Sequence, residues 1–212
     1  QAPPAALVDA VVSAKEKLKN QEDLGYSMDA IFEKAQAKID QKLERRSATI
    51  PRLNSQQRPF IDGKLDATIN PKLSWLDPFI GYMRIEGATP VEAQTKAFVA
   101  YDDNNLYLTV HCDEPNMKEQ RVVGGGHDGN IWSGENVDIS ILQPGQLTND
   151  ANAVFYHLIL NPTNDHWDGL NTGTSTDKGY NPTWQTATQK TATGWIAEIQ
   201  IPWKEIGVTN VH

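Results

Sequence analysis

A largely antiparallel β-sandwich behind an N-terminal helical hairpin is the fold class that this 212-residue sequence predicts. Three observations carry that prediction. From Ile50 onward, short segments alternate apolar and polar residues with period two, as strands buried on one side do. Turn-forming Gly, Asn, Asp and Pro separate these segments with no helical pattern between them, which argues against βαβ units. Residues 5–47, by contrast, space their apolar side chains three and four apart.

The first helix is expected where Leu7, Val8, Val11, Val12 and Leu18 share a face, and the second where Met28, Ile31, Phe32, Ala35, Ile39 and Leu43 do. Gly25 separates them, and Ser27 is placed to cap the second. Two helices of this length are marginal alone, so residues 1–49 are expected to dock on the domain C-terminal to them or to end a preceding domain. Residues 50–59, with Pro51 and Pro59, read as a linker, and residues 60–212 as the sandwich.

Strands are expected over 96–101, 105–112, 136–142, 154–161, 183–191 and 195–201. Asp102-Asp103-Asn104 is a tight polar turn. Loops are expected over 113–131, 143–152 and 162–183. In the last strand Trp195, Ala197, Ile199 and Ile201 alternate with Glu198 and Gln200, and Pro202, lacking an amide hydrogen, ends the pairing. In the strand after Glu135, Val137, Ile139 and Ile141 point to one face, and Asn136, Asp138 and Ser140 to the other.

Composition narrows the function. The net charge of −8 disfavours nucleic acid or an anionic membrane surface as the main partner, since both need a basic face. No apolar run reaches the length of a membrane-spanning helix, so membrane insertion is not expected. Cys112 is the only cysteine, which rules out an internal disulfide or a multi-thiolate zinc site; in an apolar strand it reads as a buried, inert thiol. The opening Gln-Ala-Pro-Pro-Ala is compatible with what remains after signal-peptide removal.

No catalytic constellation emerges. Glu135 and Asp138 lie roughly 10 Å apart along a strand and on opposite faces, so they do not flank a glycosidic bond as hydrolysis requires. There is no nucleophile elbow and no phosphate loop, and Gly124-Gly125-Gly126 reads as a flexible loop. His166-Trp167-Asp168, His111-Cys112-Asp113 and His127-Asp128 contain ligand-type side chains. Neighbouring strand residues diverge, however, and no His-x-x-x-His spacing occurs, so these read as loop and strand polar residues. Asp62 and Asp66 bracket a turn and can offer oxygen ligands to calcium, although turn chemistry accounts for them as well. Trp75, Trp167 and Trp184 are divided between packing and a site.

Five pieces in order, Ile61-Asp62-Gly63-Lys64-Leu65-Asp66, Ala97 through Val110, Trp132 through Ile141, Tyr156 through Pro162 and Trp195 through Trp203, resemble family 9 carbohydrate-binding modules and their DOMON-like relatives. The resemblance covers roughly residues 58–210. It implies a jelly-roll-like β-sandwich that binds polysaccharide or oligosaccharide without catalysis. It also implies attachment to a larger secreted or envelope protein of a bacterium, sometimes a glycoside hydrolase, and structural calcium.

The family's binding tryptophan and the acid six residues on fall at Trp132 and Asp138. Tyr156 stands where such binders often carry arginine, with His157 beside it. The family's second aromatic, and further strands, lie after the Ile-Pro-Trp motif, so the ending at His212 is expected to belong to a longer chain. Two other readings stand beside glycan binding: a sandwich that serves assembly with other domains of its chain or a partner, and a DOMON-type haem domain. The latter would draw axial ligands from Met83, Met117 and the five histidines.

Overall fold

The computed structural model describes residues 48–65, 76, 80–83, 87–90, 93–146, 152–173, 175–209 and 211. The helices expected before residue 48, and Asp66 and Trp75, lie outside the described residues. The strands are β1 (Ile80–Met83), β2 (Gly87–Pro90), β3 (Thr95–Tyr101), β4 (Asn105–Asp113), β5 (Val137–Leu142), β6 (Val154–Leu160), β7 (His166–Thr172), β8 (Ser175–Asp177), β9 (Gln185–Lys190) and β10 (Gly194–Pro202). β1 and β2 pair with each other, and the other eight form two four-stranded sheets ordered β3-β4-β10-β9 and β5-β6-β7-β8. Every pairing within these two sheets is antiparallel.

Each expected strand is present, with ends shifted by at most two residues. The loop expected over 162–183 instead contains β7 and β8. Period two is hidden in β7 because the side chains sharing a face with the core residues Leu158 and Leu160 are Asp168 and His166, while Trp167 points the other way. A polar pair on a buried face defeats a pattern that counts apolar residues.

The sheets pack through one apolar core. Ala97, Leu106, Val110, Trp195, Ala197, Ile199 and Ile201 supply it from the first sheet, and Tyr156, Leu158 and Leu160 from the second, with Val137, Ile139, Ile141 and Leu170 against them. Ile199 and Ile201 are fully buried, and each such side chain contributes about 1.5–3 kcal/mol relative to exposure. β10 lies between β4 and β9, hydrogen-bonded to both. It is also covered on both faces, whereas the sequence pattern predicts burial of only one; Glu198 and Ile196 are as enclosed as the inward residues.

The second cover comes from residues 51–63. Leu53 and Ile61 pack on Phe98, Ala100 and Tyr107 of the outer face. Leu53 N donates to Tyr101 O at 2.7 Å and Tyr101 N to Pro51 O at 3.1 Å, a parallel bridge along the edge of β3. Within the stretch expected as a linker, residues 51–53 thus pair with β3 and pack on the first sheet. Pro51 needs no amide partner and offers its carbonyl, which suits a bridge at a sheet edge.

Candidate functional site

The outer face of the β5-β6-β7-β8 sheet carries the sequence-predicted site. Register aligns Asp138, Ile159 and Trp167 in one row and Ser140, His157 and Gly169 in the next, and residues in a row share a face. Gly169 makes room for the Trp167 indole, because a Cβ there would stand 2.7 Å from its ring. Above this floor sits a single 3-10 turn, Ile131–Ser133. Ile131 is buried against Ile159 and Trp167, which turns the next side chain, Trp132, outward at 51% exposure. The two indoles meet edge to face, centroids 6.2 Å apart at 77°, a geometry favoured by the ring quadrupoles.

The segment carrying Trp132 is held from both sides. Ser133 Oγ donates to Asn130 O at 3.0 Å, Asn136 Nδ2 to Gly134 O at 2.7 Å, and Glu135 N to Arg121 O at 2.7 Å. Gly134 is required at that crossing, since a Cβ would lie 2.6 Å from the Arg121 carbonyl.

A polar chain runs beside the indoles. His157 Nε2 lies 2.9 Å from Asp138 Oδ1, and Asn171 Nδ2 lies 3.0 Å from His157 Nδ1. With the amide donating to Nδ1, the ring proton sits on Nε2 and is donated to the carboxylate. The imidazole also packs edge-on to Trp167 at 5.0 Å. Asp138 remains half exposed, its side chain 52% accessible, so its free lone pairs face solvent from a fixed position. An exposed indole next to an oriented carboxylate can stack on the C–H face of a sugar ring and accept hydrogen bonds from its hydroxyls.

Tyr156 is not part of this face. Neighbouring strand residues alternate, so it points between the sheets, 6% exposed, where its ring tilts against Tyr180 at 5.4 Å. The structure thus brings Trp132, Asp138 and His157 together and removes Tyr156. Trp167 and Asn171, which sequence reasoning left in a loop, complete the face; the signal for them was the two-residue spacing of Trp167, Gly169 and Asn171 along β7. Glu135 is raised above the ordinary carboxylate range by burial and by Glu114.

Of the two aspartates expected to offer oxygens to calcium, Asp62 is among the described residues. Asp62 Oδ1 accepts from Lys64 N and Oδ2 lies 3.4 Å from Lys64 Nζ, an ordinary turn and ion pair. Among the described residues, the group of three or more side chains at metal-ligand spacing is His127, His166 and Asp168, and two imidazoles are nitrogen ligands that calcium does not favour.

Strands β3 to β10 form a two-sheet sandwich whose candidate site lies on a sheet face. Residues 61–212 match the profile of the family described as "Carbohydrate family 9 binding domain-like", and the chain belongs to that family. Among solved structures it is similar to a family 9 carbohydrate binding module from Caldicellulosiruptor kristjanssonii in complex with cellotriose, at 19% identity and TM-score 0.49, over 72% of this chain and 66% of that one. A module from the same organism in complex with glucose matches at 17% identity and TM-score 0.48, over the same shares. The chain thus spans 66% of the length of those modules. A "putative carbohydrate-binding protein" from Bacteroides uniformis ATCC 8492 matches at 12% identity and TM-score 0.55, over 77% of this chain and 75% of that one, and shares the fold. No curated protein matches significantly.

Proposed function

We propose that the sandwich is a non-catalytic carbohydrate-binding module of a larger secreted or envelope protein. In this reading the outer face of β5-β6-β7-β8 is its glycan platform. The observation that carries the proposal is the exposed Trp132 indole standing beside the Asp138–His157–Asn171 chain on one sheet face. Family membership supports it. Trp132 supplies the stacking plane, Asp138 accepts sugar hydroxyls, and His157 locks the carboxylate's orientation. Hydrolysis is disfavoured because it needs two carboxyl groups flanking one bond, and Asp138 and Glu135 belong to different surroundings.

One solvent-facing indole supports modest affinity, with a dissociation constant of about 1 mM or somewhat tighter. Calorimetric titration with cello-, xylo- and manno-oligosaccharides tests the proposal. Binding by the parent chain that Trp132→Ala abolishes supports it. Retained binding in that variant moves the site elsewhere, and absence of binding to any glycan favours an assembly role for the sandwich.

A further inference from the structure

A glycine-rich loop and β7 bring three ligand-type side chains together at the inner side of the second sheet, away from the Trp132 face. Asp168 and His166 sit two residues apart on β7, in register with the fully buried Leu158 and Leu160. Adjacent strand residues diverge, but residues two apart do not, and that spacing is what makes this group possible. His127 arrives from the loop that precedes the Trp132 turn. Gly125 and Gly129 pass so closely that a Cβ on Gly129 would lie 2.6 Å from Gly125 Cα. Asp165 Oδ1 accepts from Gly126 N at 3.2 Å. Asp128, at φ 62°, donates its amide to His166 O at 2.9 Å. The loop is thereby folded back on β7 with His127 at its tip.

The resulting cluster places the ligand atoms of His127, His166 and Asp168 within 4.8 Å of one another, and His127 Nε2 3.0 Å from Asp168 Oδ2. Asp168 is 1% exposed, yet its Oδ1 has no hydrogen-bond partner among the described residues, and neither does the buried Nδ1 of His166. A carboxylate taken out of water loses several kcal/mol of solvation unless charge and hydrogen bonds compensate it. A single imidazole contact leaves that compensation incomplete. Tetrahedral zinc, at about 2.0–2.2 Å from nitrogen and oxygen ligands, holds neighbouring ligand atoms about 3.3–3.5 Å apart, a spacing between the 3.0 Å of the His127–Asp168 pair and the 4.8 Å within which all three ligand atoms lie.

The geometry points to a zinc-type divalent metal site formed by His127, His166 and Asp168, with water completing the coordination sphere. His127 is 42% accessible, which leaves a route for the ion and its water, and Asp128 Oδ1 lies 3.7 Å from His127 Nε2 to add negative charge at the entrance. Two imidazoles and one carboxylate suit zinc rather than calcium or magnesium. Bound there, the ion ties the 124–130 loop to β7 and so fixes the start of the segment that carries Trp132. Glycan binding is not assumed in this inference.

The test uses the 212-residue chain stripped of metal by a chelator and titrated with zinc by calorimetry, with cobalt as the visible-spectrum probe. One zinc per chain is expected, unaffected by excess calcium. His127→Ala should weaken binding by more than about tenfold while circular dichroism stays unchanged; this partly exposed residue is a safer variant than the buried Asp168. His111→Ala, which alters a histidine outside the cluster, should bind as the parent does. Trp184, whose ring lies 5.4 Å from His166, should report cobalt binding by fluorescence quenching. The inference is overturned if zinc fails to bind at millimolar concentration, if His127→Ala and His166→Gln both bind as tightly as the parent, or if calcium displaces zinc at equal concentration.

Discussion

Glu198 and Gly63, 135 residues apart, meet through a buried hydrogen bond of 2.9 Å from the Gly63 amide to Glu198 Oε2, and the Asp62 amide donates to the same oxygen at 2.9 Å. The Ile-Asp-Gly piece near the start of the sandwich and the Ile-Pro-Trp strand near its end are thus two halves of one feature. Ile61 packs on the outer face of the first sheet, and the two amides behind it are satisfied by the carboxylate beneath. This contact explains why β10 carries a charged residue at a position as enclosed as its isoleucines.

Gly63→Ala should destabilise the sandwich by about 1–3 kcal/mol. Gly63 has φ +82°, and a Cβ there would stand 2.9 Å from the Thr188 carbonyl carbon of β9. Left-handed strain and a backbone clash therefore act together. Urea denaturation followed by tryptophan fluorescence measures the change. A midpoint equal to that of the parent would show that the turn does not lie against β9.

Glu198 and Asp102 should give the stability profile opposite slopes. Burial raises the Glu198 pKa, only partly opposed by the Asp62 and Gly63 amides. Its contribution is therefore full below the unfolded-state pKa and lost as pH rises through the raised folded-state value. At Asp102 burial also pushes upward, but the amides of Asn104 and Asn105, the Tyr107 hydroxyl and Arg58 outweigh it, so the pKa is lowered. Its contribution is present above the unfolded-state pKa and lost as pH falls through the lowered value. Glu198→Gln should flatten the decline on the rising side, and Asp102→Asn the decline on the acid side, in urea midpoints measured from about pH 3 to about pH 8. An Asp102→Asn profile parallel to that of the parent below the carboxylate range would refute the assignment.

How much of this was legible in the sequence depended on which face a residue served. β10 was readable because Trp195, Ala197, Ile199 and Ile201 mark the core face, but its second buried face was not, since Leu53 and Ile61 arrive from a Pro-bounded stretch that has the composition of a connector. Trp132 and Asp138 were singled out by the resemblance to family 9 carbohydrate-binding modules, and period two alone placed Asp138 on the polar face of its strand. Trp167 and Asn171 were not, because β7 buries His166 and Asp168 on its inner face and thereby loses the apolar period. The His127 loop escaped for a related reason: its partner residues are two apart on a strand that composition had assigned to a loop.

Cys112 should behave as an inert thiol in the folded protein. Burial, with smaller contributions from Glu135 and Asp113 against a hydrogen bond with Thr95, pushes its pKa up to about 12. Near neutral pH the thiolate fraction is then about a thousandfold below that of an ordinary cysteine. Alkylation by iodoacetamide should be correspondingly slow in buffer and fast in urea. Native and unfolded rates within about tenfold of each other would contradict the half-buried placement of Cys112 on β4.

The glycan face should fail by steps that its geometry orders. Trp132→Ala removes the stacking plane and should abolish measurable binding, because Trp132 is the most exposed aromatic on this face among the described residues. Asp138→Asn keeps the shape but replaces a charged acceptor by a neutral one, and charge-assisted hydrogen bonds are roughly twice as strong as neutral ones. A loss of about tenfold is expected, equivalent to about 1.4 kcal/mol. His157→Gln should weaken binding less, since the histidine orients Asp138 through its 2.9 Å contact rather than reaching outward. Tyr156→Phe, by contrast, alters a side chain between the sheets, 6% exposed, whose hydroxyl lies where a Cβ on Gly207 would come within 2.6 Å. It should change stability and leave affinity unchanged. Calorimetry on the four variants distinguishes the two faces of β6: if Tyr156→Phe weakens glycan binding as much as His157→Gln does, the platform is not the outer face of this sheet.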